Sequence, residues 1–205
     1  SVATDMDRDR EATRNKLMDA VERIAIRDGF EACGVNAIAQ EAGVDKVLIY
    51  RYFGGVDGLI STVIAERAAW PKSAPLPDGT SPGSALSSAL IDQARAIRAR
   101  PLAQHAVAWE ASGHADHDIA RPISEGRESQ LSALAAALRE RHAVPARFDL
   151  EAIGALVAAG LTMLAARTDH HVPFFGLDLE RDADWRRIEK AAATILRALL
   201  DPSDA

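Results

Sequence analysis

The chain has 205 residues, of which 48% are hydrophobic, so it can form one ordinary domain or a small module fused to a larger one. Its formal net charge of −6 argues against binding nucleic acid through bulk positive charge, because that mode uses many Lys and Arg side chains to neutralise phosphates. Cys33 is the single cysteine, which excludes an internal disulfide and a multi-cysteine zinc site.

The N-terminal segment, residues 1–16, is polar throughout and lacks the apolar core of a signal peptide. No later segment contains the roughly 18 unbroken apolar residues that a membrane span needs. These two observations predict a cytoplasmic protein.

The first predicted helix begins in a locally basic segment. Residues 17–25 carry apolar side chains at helical spacing, which predicts one buried stripe on a helix that ends near Gly29. The first 70 residues contain nine Lys and Arg against twelve Asp and Glu, so any DNA binding must come from the local placement of charge. Four cations cluster before the apolar stripe: Arg8, Arg10, Arg14 and Lys16.

Two short helices follow, joined by a tight turn. The second helix is predicted over residues 36–42, and Gly43 stands where a left-handed residue would end it. Asp45 is the predicted N-cap of a third helix over residues 46–53. Two helices joined by so short a glycine turn form the helix-turn-helix pattern, whose second helix enters the major groove of DNA.

The rest of the chain is also predicted to be helical. A fourth helix covers residues 57–70, and a loop rich in Pro, Gly and Ser follows at 71–83. Further helices are predicted at about 84–99, 101–112, 118–142, 149–168 and 184–200. No segment alternates at a period of two residues, so the predicted fold class is all-α, a three-helix helix-turn-helix domain followed by a larger helical domain.

Residues 29–59, GFEACGVNAIAQEAGVDKVLIYRYFGGVDGL, contain the most specific motif. The run has a Gly-aromatic step, Ile-Ala in the second helix, Ala-Gly-Val at the turn and an aliphatic-Tyr-x-Tyr-Phe sequence in the third. This pattern resembles the DNA-binding signature of the TetR family. The resemblance implies a homodimeric, ligand-responsive repressor of a palindromic operator in double-stranded DNA. It implies a DNA-binding domain at 1–56, a connector helix at 57–70 and a ligand-binding and dimerisation domain at 71–205.

The reading helix, residues 46–53, supplies most of the predicted DNA contacts. Lys46, Val47 and Leu48 are its early outward residues, where Lys46 donates to guanine and Val47 packs on a thymine methyl group. Tyr50 and Arg51 lie further along the exposed side and are suited to phosphates.

The resemblance adds three assignments outside those early positions. It implies a phosphate contact for Tyr50, a role shared between core and DNA backbone for Tyr52, and a base or phosphate contact for Asn36. Arg14, in the basic segment, completes the predicted DNA-binding set.

The sequence departs from the family pattern at several positions. Cys33, Gly34 and Val35 stand where hydroxyl residues cap the second helix and contact phosphate, and Val56 replaces a phosphate-binding lysine. Val47 replaces a common glycine. Fewer phosphate contacts predict a shallower salt dependence of DNA binding.

A ligand pocket is expected among the helices between residues 84 and 168, by the resemblance. The candidate lining residues combine aromatic and polar groups, as pockets do, although each of them suits a core position equally well: His105, Trp109, Met163, Phe174 and Phe175. The helices at 149–168 and 184–200 are strongly apolar, which suits either a homodimer interface or a monomer core.

Other chemistry has little support in the sequence. The run Glu110, His114, Asp116, His117 and Asp118 matches no metal-ligand motif, and a solvated turn with an Asp cap explains it, so no metal and no cofactor are expected. No nucleophile-base pair or Gly-rich phosphate loop stands out, which predicts that the protein is not an enzyme. The alternative is a helical small-molecule-binding protein or enzyme that does not bind DNA.

Overall fold

The computed structural model describes residues 2–68, 79–113, 117–141, 149–167 and 173–201, with the side chains of all but 2–6, 117 and 122. These residues contain no named strand, and the predicted all-α fold is confirmed. The α-helices are α1 Val2–Asp28, α2 Val35–Ala42, α3 Val47–Phe53, α4 Val56–Arg67, α5 Pro82–Arg98, α6 Pro101–Ala111, α7 His117–Arg141, α8 Leu150–Ala166 and α9 Asp182–Leu200. A 3₁₀ turn lies at Phe30–Ala32, between α1 and α2.

Contacts divide the chain into two compact units. The first contains residues 1–69 and 100–125, and the second contains 70–99 and 126–205. Helix α6 and the first part of helix α7 therefore belong to the same unit as α1 to α4. The functional division at residues 56 and 70 stays a prediction.

The first unit is built around α1. Its predicted stripe is fully buried, with Leu17 and Val21 at 0% exposure, and it packs against α2, α4 and α6. The aliphatic side chains of α4 complete this core: Leu59, Ile60, Val63 and Ile64. Within the described residues α4 ends at Arg67, and the predicted end at Trp70 and Pro71 lies outside them.

The second unit is built around α5, which packs against α8 and α9. The predicted loop at 71–83 is wrong at its end, because Pro82 and Gly83 form the first turn of α5. Proline is tolerated in a first turn, where its missing N–H has no helical partner, and the Ser81 hydroxyl accepts the Ser84 amide as a cap. Gly83 is required there, since a Cβ would lie 2.6 Å from the Leu196 carbonyl oxygen of α9.

No single helix in the described part of the chain is long and apolar enough to cross a membrane. The pair α3 and α4 reaches that length and composition only when taken together, and it is bent by 56°. Mostly buried core helices meet the same test, so the pair is weak evidence for a span.

Candidate nucleic-acid interface

The third helix has one buried side and one exposed side. Ile49 is fully buried, and Tyr52 and Phe53 are half-buried. On the other side Val47 is 61% exposed and Tyr50 58% exposed, although both have large apolar groups. An exposed aliphatic and aromatic pair on one short helix is the kind of surface that a binding partner covers.

The N-terminal end of α3 is held by the turn that precedes it. Gly43 ends α2 in the left-handed conformation, with φ of 65°, and its amide donates to the carbonyls of Ala39 and Gln40. Asp45 then accepts the amide of Val47 at 2.8 Å and so holds the start of α3, although the N-cap position itself is Lys46 and not the predicted Asp45. The helix itself begins at Val47, one residue later than predicted, with Lys46 in the turn before it.

The C-terminal end of α3 is held by a close approach of α4. Gly54 has φ of 76°, and its amide donates to the Tyr50 carbonyl at 3.0 Å. Gly58 lies so close to α3 that a Cβ there would overlap the Phe53 carbonyl oxygen. Both ends of α3 are therefore held in place by hydrogen bonds and close packing, which fixes the positions from which its exposed side chains extend.

Asn36 is exposed in the first turn of α2. The residue before α2 is Gly34. Because glycine has no side chain, it makes no side-chain hydrogen bond to the start of α2. Cys33 is buried, and burial raises the pKa of its thiol to about 12, so the group is a neutral packing residue at physiological pH.

The cations of residues 2–68 fall into two groups. One group is paired with carboxylates inside the unit: Arg23 and Arg27 with Glu41, Arg67 with Asp19 and Glu22, and Arg14 with Glu11 and Glu66. The other group is exposed and forms no ion pair with any described residue: Arg8, Arg10, Lys16, Lys46 and Arg51. These free cations lie in α1 and around α3, so the acidic unit keeps its uncompensated positive charge in two segments.

Arg14 is one of the engaged cations. Both terminal nitrogens of its guanidinium donate to the Glu66 carboxylate of α4, one of them at 3.3 Å. The hydrogen bonds to Glu66 raise the pKa of Arg14, and the guanidinium also lies 5.7 Å from the Phe53 ring centre. Its DNA contact stays a prediction. In the structure its ion pair with Glu66 joins α1 to α4.

The predicted ligand residues are not brought together within one unit. His105 and Trp109 lie on α6 in the first unit, where burial lowers the pKa of His105. Trp109 is buried and stacks on Phe30 with ring centres 4.9 Å apart, and its Nε1 has no hydrogen-bond partner among the described residues. Met163, Phe174 and Phe175 lie in the second unit, and Phe175 is 95% exposed.

The second unit contains a cavity of about 400 Å³ between α5, α8 and the C-terminal part of α7. Its apolar lining is Leu86, Leu131, Leu134, Ala135, Ala136, Leu138, Leu150, Gly154 and Ala155, and its polar lining is Glu128, Ser132, Arg139 and Glu151. None of the five predicted ligand residues belongs to it. The usable signal in the sequence was the pair of small residues Gly154 and Ala155 in α8, which leave space beside bulkier neighbours.

The cavity's charged residues are partly paired. The Arg139 guanidinium donates to both oxygens of Glu151, with Nε to Oε1 at 3.0 Å, and this pairing lowers the pKa of Glu151. Among the side chains that the structure describes, no group of three or more His, Cys, Asp and Glu is arranged to hold a metal ion. His114, Asp116 and the side chain of His117 lie outside those residues.

The two helices predicted to form a dimer interface both carry uncovered apolar groups. Leu156 of α8 is 76% exposed, and Ile195 of α9 is 50% exposed, with Met163 also exposed. By contrast, Leu161 and Leu196 are buried and belong to the core of the second unit. Each helix thus has a core side and an exposed apolar side.

The sequence model of the bacterial regulatory proteins of the tetR family matches residues 17–63, from the buried stripe of α1 into α4. Salmonella enterica GusR is similar in structure, at 16% identity and a TM-score of 0.64 over 93% of this chain and 96% of that chain. HlyIIR, a hemolysin II transcriptional regulator, is 18% identical with a TM-score of 0.59, over 94% and 99%. A TetR-like transcriptional regulator from Rhodococcus sp. RHA1 is 19% identical with a TM-score of 0.56, over 91% and 95%. At these identities the similarity shows the fold, and no curated protein matches by sequence.

Proposed function

We propose that this chain is a regulator of the TetR family, and that it is a repressor that binds a palindromic operator as a homodimer and is released by a small molecule. The observation that carries the proposal is the exposed side of α3, held rigidly at both ends. Val47 and Tyr50 extend from it while Ile49 anchors it in the core. A fixed helix with outward donors and apolar groups is what major-groove reading requires.

The side chains divide into base-reading and backbone-binding groups. Lys46 donates to guanine O6 or N7, Val47 packs against a thymine methyl group, and the half-buried Leu48 borders them. Tyr50 and Arg51 bind phosphates further along the helix, and Asn36 approaches from the first turn of α2.

A homodimer supplies the second reading helix. The exposed apolar sides of α8 and α9 support this assembly, because burying Leu156 and Ile195 against a second copy removes apolar area from water. A two-fold dimer then requires half-sites separated by about 34 Å or a multiple of it.

Ligand release is supported by the cavity of the second unit. A volume of about 400 Å³ falls within the range of small-molecule sites, and its lining is mostly apolar with a few charged groups. A repressor that binds an operator acts where bacterial DNA lies, so we propose that the protein is cytoplasmic.

The competing function is a helical small-molecule-binding protein or enzyme that does not bind DNA. The cavity suits both functions, whereas the exposed side of α3 and the free cations beside it suit only the regulator. We therefore favour a regulator without enzymatic activity.

Footprinting and gel shift on the DNA that flanks the gene test the proposal. We expect a protected palindrome, and Lys46→Ala should cost about 1–3 kcal/mol of preference at one base position. Tyr50→Phe should weaken binding to all sequences alike, because a lost phosphate contact carries no base preference. The matched control is Lys190→Ala, which removes an exposed lysine from α9. Absence of any protected site at low salt would refute the regulator.

A further inference from the structure

We propose that Arg10, Tyr52 and Arg51 form a clamp for the DNA backbone beside the reading helix, so that Arg10, and not Arg14, provides the phosphate contact of α1. The clamp rests on the proposed DNA-binding function and adds to it a residue outside the helix-turn-helix.

The geometry brings two cations from different helices to one aromatic ring. The guanidinium carbon of Arg10, on α1, lies 5.9 Å from the centre of the Tyr52 ring. The guanidinium carbon of Arg51, on α3, lies at the same distance from that ring. The two carbons are therefore no more than about 12 Å apart, a span of a few nucleotides at about 3.4 Å rise per strand.

The ring itself is well placed to hold them. Tyr52 is half-buried, so its position is fixed by the core of the first unit. Cation-π contacts orient guanidinium groups at this distance and leave their N–H donors available. The hydroxyl of Tyr52 is a third donor at the same place.

The charge at this place is uncompensated. Arg10 and Arg51 are exposed, and no described carboxylate forms an ion pair with either, although Asp7 and Glu11 are close to Arg10 on α1. Two guanidinium groups near one ring repel each other, and an anion shared between them relieves that repulsion. Phosphate oxygens suit the guanidinium fork, since both of its parallel N–H groups can donate to them.

Arg14, one helical turn further along α1, has the opposite environment. Its charge is compensated by Glu66 and by Glu11, whose carboxylate lies 3.8 Å away. Freeing Arg14 for a phosphate would leave Glu66 without this partner and remove one of the ion pairs that join α1 to α4. A phosphate contact at Arg14 therefore costs interactions that a contact at Arg10 does not.

The test is the salt dependence of binding by the full-length dimer to a fluorescent duplex containing the footprinted palindrome. Each phosphate contact contributes about −0.9 to the slope of log affinity against log salt. We expect Arg10→Ala and Arg51→Ala each to reduce the slope by about one per subunit and to weaken all sequences alike. Arg10→Lys should retain most of the slope, because the charge remains.

The control is Arg186→Ala, which removes an exposed arginine from α9 and should leave the slope as in the wild type. Thermal melting checks that Arg10→Ala remains folded, as expected for an exposed side chain. If wild type binds the duplex and Arg10→Ala has the wild-type slope, the clamp is wrong and the regulator stands. If Arg14→Ala lowers the slope instead, the contact belongs to Arg14. If the wild type binds no DNA, both proposals fail.

Discussion

Gly58 determines how closely helix α4 approaches helix α3. A Cβ at this position would overlap a backbone atom, the Phe53 carbonyl oxygen, which cannot rotate away as a side chain can. Glycine at 58 is therefore a packing requirement, although its backbone has an ordinary helical conformation.

We predict that Gly58→Ala lowers the stability of the first unit by about 1–3 kcal/mol, the usual cost of overpacking a close contact. The variant should melt at a lower temperature by circular dichroism. Gly154→Ala is the matched control, since its Cβ would lie at an ordinary 3.9 Å from Leu86, and alanine favours a helix interior over glycine. Equal melting temperatures for Gly58→Ala and wild type would contradict the close approach.

At the scale of helices, α8 and α9 have two different sides. Their inward residues, such as Leu161 and Leu196, are buried against the second unit's own core, which explains only part of their apolar character. The outward residues Leu156 and Ile195 have no such role in a single chain.

We predict that Leu156→Asp or Ile195→Asp converts the proposed dimer to a monomer, because each would bury an unpaired carboxylate in an apolar interface. Light scattering after size exclusion at micromolar concentration measures the change. Ala183→Asp, which adds the same charge at an exposed position in the first turn of α9, should remain dimeric. A monomeric wild type, or dimeric Asp variants, would contradict an α8 and α9 interface.

At the scale of the whole molecule, the proposed release of DNA by a ligand requires that ligand binding and DNA binding be linked by free energy. A change from 1% to 99% released requires the ligand to prefer the DNA-incompetent arrangement by about 5.5 kcal/mol. By reciprocity, operator DNA must weaken ligand binding by the same factor.

We predict that the apolar dye Nile red binds the cavity of the second unit, and that Gly154→Leu, which fills it, weakens binding roughly tenfold or more. Ala183→Leu, the same side chain at an exposed position of α9, should bind dye as the wild type does. Dye fluorescence titrated with and without operator duplex measures both effects. Equal binding by Gly154→Leu and wild type would exclude this cavity as the dye site, and equal dye affinity with and without operator would exclude linkage between dye binding and DNA binding.

The features that the sequence alone determined are local. The α1 stripe, the end of α2 at Gly43 and the Asp45 hydrogen bond that holds the start of α3 each depend on residues within one or two turns. The exposed side of α3 follows in the same way, since helical periodicity places Ile49 inward and Val47 and Tyr50 outward.

What only the tertiary structure decided depends on residues far apart in the chain. From the sequence alone Arg14 is one of a cluster of cations, but in the structure it pairs with Glu66 of α4, which lies 52 residues later in the chain. Pro82 and Gly83 looked like a loop, yet Asp201 of the chain's last described segment accepts the Gly83 amide at 2.7 Å and α9 packs on it. The cavity arises from three helices, and apart from the small pair Gly154 and Ala155 its lining residues share no sequence pattern. Periodicity shows which side of a helix is buried, but not which helix covers it, because the partner is chosen by the packing of the whole unit.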